Sequence, residues 1–401
     1  MGDEGFLNRR LEERRAQDAF RQLRLPEGKT DFCSNDYLGI VTNGLLEAGR
    51  GQPVGGAAAA PFPPLAHGST GSRLLAGNYP LIGETEKTLA AFHQAETGLI
   101  FNSGYDANLG VLSCIPRRGD TIVYDSLSHA SIRDGIRLSF AQSFSFAHND
   151  CADLERRLQS VRGGAGGASS AGRGGGANAA EGNSPGGGAT LFVVTESVFS
   201  MDGDLAPLET ILSLCRRYDA CLILDEAHAT GVIGGAGEGL AQARGLHREC
   251  FARIHTFGKA VGCHGAIVLG STRLRQFLVN FCRPLIYTTA LPPASVGAIA
   301  DAYRLFPKMN VERTRLQQLI DRWQQASIGY ERLNSQTPIQ VVIVPGNAAV
   351  RGLAGRLQEA GLDIRPILYP TVPKGGERLR IVIHSFNTVE EIDRLTGLLQ
   401  S

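Results

Sequence analysis

The chain has 401 residues, 40 of them Lys or Arg and 39 Asp or Glu, for a formal net charge of +1. That length permits a large core plus a smaller domain. The balanced charge gives no support for a nucleic acid or an anionic membrane as partner, and no apolar run nears the roughly 20 residues a bilayer span needs. The N-terminus lacks the apolar stretch of a signal peptide. Eight scattered cysteines with no Cys-x-x-Cys pair argue against zinc and for a reducing, cytoplasmic setting.

Residues 4 to about 24 alternate charged and apolar residues at helical spacing, which predicts an amphipathic N-terminal helix. Gly51 to Pro64 reads as a flexible connector. From about 85 to 290 helix and strand patterns alternate: helix 85–97, strand 99–101, helix from 108, strand 121–124, helix 131–138, strand 191–194, helix 208–218, then the strand ending at Asp225. Such alternation predicts a mostly parallel sheet covered by helices on both faces. Within it, Gly163 to Gly188 holds 12 glycines in 26 positions and reads as a surface loop, with no phosphate-loop pattern. After Pro292-Pro293 come helices 294–306 and 311–334, strand 339–344, helix 348–360, strand 379–383 and helix 388–400, a smaller α+β unit. The predicted organisation is an N-terminal arm (1–45), a large domain (46–290) and a small C-terminal domain (291–401).

Two strand ends carry the chemistry. Ala220-Cys-Leu-Ile-Leu-Asp225-Glu-Ala-His228 places a carboxylate and an imidazole just past one apolar run, and Ile254-His-Thr-Phe-Gly258-Lys259 places an amine past another. Ligands in open α/β sheets gather beyond such carboxyl ends. A lysine that can form a Schiff base, beside an acid that keeps a pyridine nitrogen protonated, is what pyridoxal phosphate (PLP) chemistry requires. Alone, Lys259 reads as a surface lysine and His228 as a satisfied core histidine; Asp225 on the preceding strand changes that balance. Asp225-Glu-Ala-His also spells a helicase box, but the sole Gly-Lys-Thr, at 28–30, has Leu23 where a Walker A glycine belongs.

Other turns suit the same ligand. Phe101-Asn-Ser-Gly104-Tyr105 is a strand, a glycine turn and a helix start, an arrangement that offers N–H groups to a phosphate or serves as a plain connection. Thr256 suits a phosphate oxygen. His129 is placed to stack on a flat ring, or to sit in a helix cap with Ser126 or Ser128. Ser200, in a turn after another strand, is a weak hydrogen-bond candidate.

These runs resemble the α-oxoamine synthases, fold-type I PLP enzymes. The shared segments are Ser34-Asn-Asp-Tyr-Leu-Gly39, Gly68-Ser-Thr-Gly-Ser-Arg73, Asn102-Ser-Gly-Tyr105, Asp125-Ser-Leu-Ser-His129-Ala-Ser131, Thr195-Glu-Ser-Val-Phe-Ser-Met-Asp-Gly-Asp204, Asp225-Glu-Ala-His-Ala-Thr-Gly231, Thr256-Phe-Gly-Lys259 and Pro370-Thr-Val-Pro-Lys374. The resemblance implies a seven-stranded, mostly parallel sheet in the large domain and a homodimer with the active site between subunits. It implies that Lys259 binds the cofactor covalently and serves as base, that Asp225 pairs with the ring nitrogen, and that His129 stacks on the ring. Gly104, Tyr105 and Thr256 would hold the phosphate side, Ser200 and His228 cofactor oxygens. Arg380 would fix the amino-acid carboxylate, with Arg21, Asn35 and Thr371 near substrate. Ala147-His-Asn-Asp150 and Arg14-Arg-Ala-Gln-Asp-Ala-Phe-Arg21 favour the member that condenses L-alanine with a pimeloyl thioester for biotin synthesis. Sister activities joining glycine or serine to another acyl-CoA remain the alternative. The resemblance also places an arginine three residues before Thr371-Val-Pro; here that position is Leu368, with Arg365 nearby but displaced.

Overall fold

The computed structural model describes residues 4–23, 25, 28–48, 65–164 and 188–400. The expected connector at 51–64 and nearly all of the glycine-rich stretch, 165–187, lie outside the described residues. In chain order the strands are β1 (Thr30–Asp31), β2 (Thr97–Phe101), β3 (Thr121–Asp125), β4 (Gln142–Phe146), β5 (Leu191–Glu196), β6 (Ala220–Asp225), β7 (Ala252–Thr256), β8 (Ala266–Gly270), β9 (Ile339–Ile343), β10 (Leu362–Asp363), β11 (Arg365–Ile367) and β12 (Arg378–Val382).

A seven-stranded sheet has the order β2-β8-β7-β6-β5-β3-β4. β8 runs antiparallel to both its neighbours, and the other pairings are parallel. Both faces of the sheet are covered. Leu222 and Leu224 of β6 face one apolar cluster, while Ile223 between them faces the other. A strand buried on both sides must be apolar throughout, which is why Ala220–Leu224 carries no alternation of polar residues. The polar residues appear where the strands stop, at Glu196, Asp225 and Thr256. Parallel pairing therefore collects them along one edge.

β9, β11 and β12 form a separate antiparallel sheet in the order β11-β12-β9. The N-terminal segment joins this part of the molecule, since β1 pairs in parallel with β10. One apolar cluster runs through both regions, including Leu222 and Val342.

Some elements differ from the sequence reading. The N-terminal helix stops at Ala16, buries none of its residues, and is followed by Asp18 at φ 51°. Phe6, Leu7 and Leu11 stay exposed, so its apolar positions have no core to face in the single chain. The helix expected over 311–334 is Asn310–Gln325; the chain then bends toward β9, where Arg332 bridges to Val342. β4, β8 and the helix Thr272–Phe281 went unread. Gln142–Phe146 is an edge strand, exposed at four of five positions, and so lacks a buried strand's apolar run.

Candidate active site

A cavity of about 280 Å³ opens at the carboxyl ends of β5, β6 and β7. Its wall includes Gly104, Tyr105, His129, Asp225, His228, Thr256 and Lys259, seven residues singled out from the sequence. Asp225 ends β6 and is 5% exposed. Its Oδ1 accepts the backbone N–H of Ala227 at 2.8 Å, and its Oδ2 the side-chain amide of Asn108 at 2.6 Å. Lys259 lies past the end of β7, the neighbouring strand. Burial drives the pKa of its amine below the usual lysine value, against the attraction of Asp225. A lysine so placed spends more time as the neutral nucleophile.

His129 precedes the helix Ala130–Leu138, and its Nδ1 receives the N–H of Ser131 at 3.2 Å. Its own backbone N–H donates to Glu196 Oε1 at 2.6 Å. Burial lowers the imidazole pKa, partly offset by Asp225, which favours a neutral ring. His228 is more strongly affected, with burial and then Lys259 holding it well below the ordinary histidine value. Its Nδ1 lies 2.6 Å from the Tyr37 hydroxyl.

Gly104 opens the helix Gly104–Cys114, whose first turn is capped by Ser103 accepting from Asp106 N–H. A Cβ at 104 would stand 2.5 Å from Thr256 Cγ2, so glycine keeps the helix start and the β7 end in contact. The helix N-terminus so placed offers backbone N–H groups suited to an anion, while the Thr256 hydroxyl meets the Ala227 carbonyl at 3.5 Å. Tyr105 is 43% exposed and donates to Asp134.

The remaining predicted residues, Asn35, Ser200, Arg380, Arg21 and Thr371, are not in the cavity wall. Arg380 Nε donates to the Ser200 carbonyl at 2.6 Å, and its Nη2 to Asn35 Oδ1 at 2.9 Å. Asn35 Oδ1 also receives Tyr37, which connects Arg380 to His228. Ser200 thus meets Arg380 through its backbone, not its hydroxyl. Arg21 donates to Thr371 Oγ1 at 3.1 Å, a pair formed across 350 positions of chain. Arg365 is bound to Asp363, and Leu368 packs against the main apolar cluster.

Three residues without an assigned role from sequence stand in or against the cavity. Asn108 was read only as part of a helix; a buried Asn inside an apolar helix is the signal that could have found it. Tyr37 sat in a matched motif without a function. Glu196 ends an apolar strand just as Asp225 does, and lines the same cavity.

The arrangement fits a flat, anionic heteroaromatic cofactor with an aldehyde. It offers an amine at one side, a carboxylate fixed by two donors, an imidazole and an anion cradle. Fold and site define a fold-type I PLP enzyme. Residues 27–397 match the class I and II aminotransferase family model. The chain is 39% identical over 393 residues to 8-amino-7-oxononanoate synthase of Emericella nidulans, covering 94% of this chain and 89% of that one. Among solved structures, 8-amino-7-oxononanoate synthase of Francisella tularensis matches at 26% identity and a TM-score of 0.70, covering 93% and 97% of the two chains. Serine palmitoyltransferase of S. paucimobilis, with bound PLP–myriocin aldimine, matches at 25% identity and a TM-score of 0.79, covering 99% and 96%. The chain belongs to the class I and II aminotransferase family and, within it, to the α-oxoamine synthases. Its cofactor is PLP.

Proposed function

We propose that this chain catalyses the decarboxylative condensation of L-alanine with a pimeloyl thioester, giving 8-amino-7-oxononanoate, CO2 and the free thiol. A carbon–carbon bond forms between alanine Cα and the acyl carbonyl, the carbon–sulfur bond breaks, and the alanine carboxylate leaves as CO2. The observation that carries this reading is Lys259 beside Asp225 in one cavity, in a chain 39% identical to an 8-amino-7-oxononanoate synthase over nearly its whole length.

Bound PLP supplies an aldehyde that captures amines and a ring that withdraws electrons from the captured amino acid. Lys259 Nζ, held toward its uncharged form, would attach the cofactor and take the proton from alanine Cα. Asp225, fixed by Asn108 and Ala227, would hold the positive charge of the ring nitrogen. His129 would hold the ring face. Gly104, Tyr105 and Thr256 would hold the phosphate side, and His228, with Ser200, the cofactor oxygens. Arg380 receives the alanine carboxylate through its planar fork, with Asn35 orienting it. Arg21 and Thr371 lie toward the acyl substrate. Since Arg365 is committed to Asp363, Arg21 is the cation we assign to the acyl side.

We also propose the division into an arm (1–45), a large domain (46–290) and a small domain (291–401), supported by the separate sheet of β9, β11 and β12. A cytoplasmic homodimer with the cavity at the subunit interface completes the reading. Exposed Leu75 and Tyr287 support it as apolar surface awaiting a second copy. Among the described residues no helix is long and apolar enough to cross a membrane.

The test is an assay of the purified protein with L-alanine, glycine or serine against a panel of acyl thioesters. Turnover with alanine and a pimeloyl thioester is expected. Preference for glycine or serine with another acyl group would assign a sister activity instead.

A further inference from the structure

Glu196 is a second acid in the cavity that the proposed chemistry leaves unused. It ends β5 as Asp225 ends β6, and the two are register partners in parallel strands. Neighbouring strands lie about 4.8 Å apart, so two carboxyl groups leave the sheet side by side. Glu196 is 3% exposed and Asp225 5%. Two buried like charges at that spacing do not both persist; one keeps a proton.

Their hydrogen bonds decide which. Asp225 accepts from both Ala227 N–H and Asn108 Nδ2, one donor on each oxygen. Among the described residues, the donor to the Glu196 carboxyl group is the His129 N–H, on Oε1. Two donors stabilise an anion better than one. We propose that Glu196 is a positioning residue that stands in the site as a neutral carboxylic acid: it carries the proton of the Glu196–Asp225 pair, fixes His129 through its backbone N–H, and leaves Asp225 as the one negative charge of the pair.

The surroundings agree. The groups facing Glu196 are Asp225 on β6, Asp125 at the end of β3, Lys259 past β7 and His129 at its helix start. Burial first, then Asp225, raises its pKa to about 8, against the His129 N–H and Lys259. The consequence is a site tuned to one ring nitrogen. A second anion beside Asp225 would compete for Lys259 and repel the cofactor's phosphate, and it forms only as the solution turns alkaline.

The inference rests on the PLP reading for its purpose but not for its test. Infrared spectra of the cofactor-free wild-type protein, grown with carbon-13-labelled glutamate, would show a protonated glutamate carboxyl band at neutral pH. That band should vanish as the pH passes about 8 and be missing in Glu196→Gln. PLP titrations supply a second readout. Glu196→Gln mimics the protonated acid and should bind PLP within about threefold of wild type at neutral pH, whereas Glu196→Ala should bind about tenfold more weakly. Wild-type affinity should fall above about pH 8, and the Gln variant should lack that fall. No labelled carboxyl band at neutral pH, a band that survives in Glu196→Gln, or a Gln variant as weak as the Ala variant would overturn the proposal. Failure of the wild-type protein to bind PLP, with the band present, would instead overturn the cofactor reading.

Discussion

The side-chain amide of Asn108 donates to Oδ2 of Asp225 across 2.6 Å, from the middle of one helix to the end of a strand 117 residues later. The bond fixes the orientation of the carboxylate. Asn108→Ala should therefore weaken PLP binding by about tenfold, the worth of a hydrogen bond to a charged group. Asp225→Ala should go further, binding PLP weakly and losing most turnover. Absorbance titrations and steady-state rates would check both; wild-type rates in Asp225→Ala would refute its role.

Tyr37 anchors the ring of His228. Its hydroxyl donates to Asn35 Oδ1 at 3.1 Å and lies 2.6 Å from His228 Nδ1. Asn35 Oδ1, with two lone pairs, receives Arg380 as well, so the three side chains form one connected network. Tyr37→Phe removes the partner of Nδ1 and loosens the hold of His228 on the cofactor. PLP affinity should drop about fivefold to tenfold with little change in melting temperature.

Gly104→Ala tests the cradle. The added carbon meets Thr256 Cγ2 at 2.5 Å, so either the helix start or the β7 end must move. Affinity for PLP should fall about tenfold or more, in keeping with the cost of overpacking. Gly104→Ala combined with Thr256→Ser, which deletes the clashing methyl, should recover part of that loss.

The location of Asp225 was legible because it ends an apolar run, and a strand end in a parallel sheet has one destination; Lys259 follows a strand that carries Arg253 and His255, so its place was legible from the short distance to that strand's end and from the motif around it. The seven-residue overlap between expectation and cavity wall follows from that geometry. Elements that obey other rules were hidden. The exposed edge strand β4 has no apolar run to betray it, and β8 runs against the alternation of helix and strand. Tyr37 reaches His228 from near the N-terminus, a closure set by β1 pairing with β10 that no local pattern reports; Asn35 beside it was named only through the family resemblance.

His148 links stability to pH. Its two ring nitrogens bond Asp125 Oδ1 at 3.0 Å and Asp204 Oδ2 at 2.8 Å. Burial opposes its charge, but the two carboxylates win and raise its pKa to about 9 from 6.5. A raised histidine contributes stability that is complete below about 6.5 and is lost as pH climbs through about 9. The melting temperature should decline across that window, and His148→Gln should flatten the decline. An identical slope in the variant would remove His148 as its source.

The central claim is that Lys259 is the residue that bonds the cofactor. The chain contains only four other lysines, Lys29, Lys87, Lys308 and Lys374, so the claim can be settled by mapping. The protein would be loaded with PLP, reduced with borohydride, digested, and its peptides weighed. The phosphopyridoxyl mass is expected on the peptide containing Lys259 and nowhere else, and to be missing in Lys259→Ala. Finding that mass on a different lysine of the folded protein, or none at all, would contradict the account.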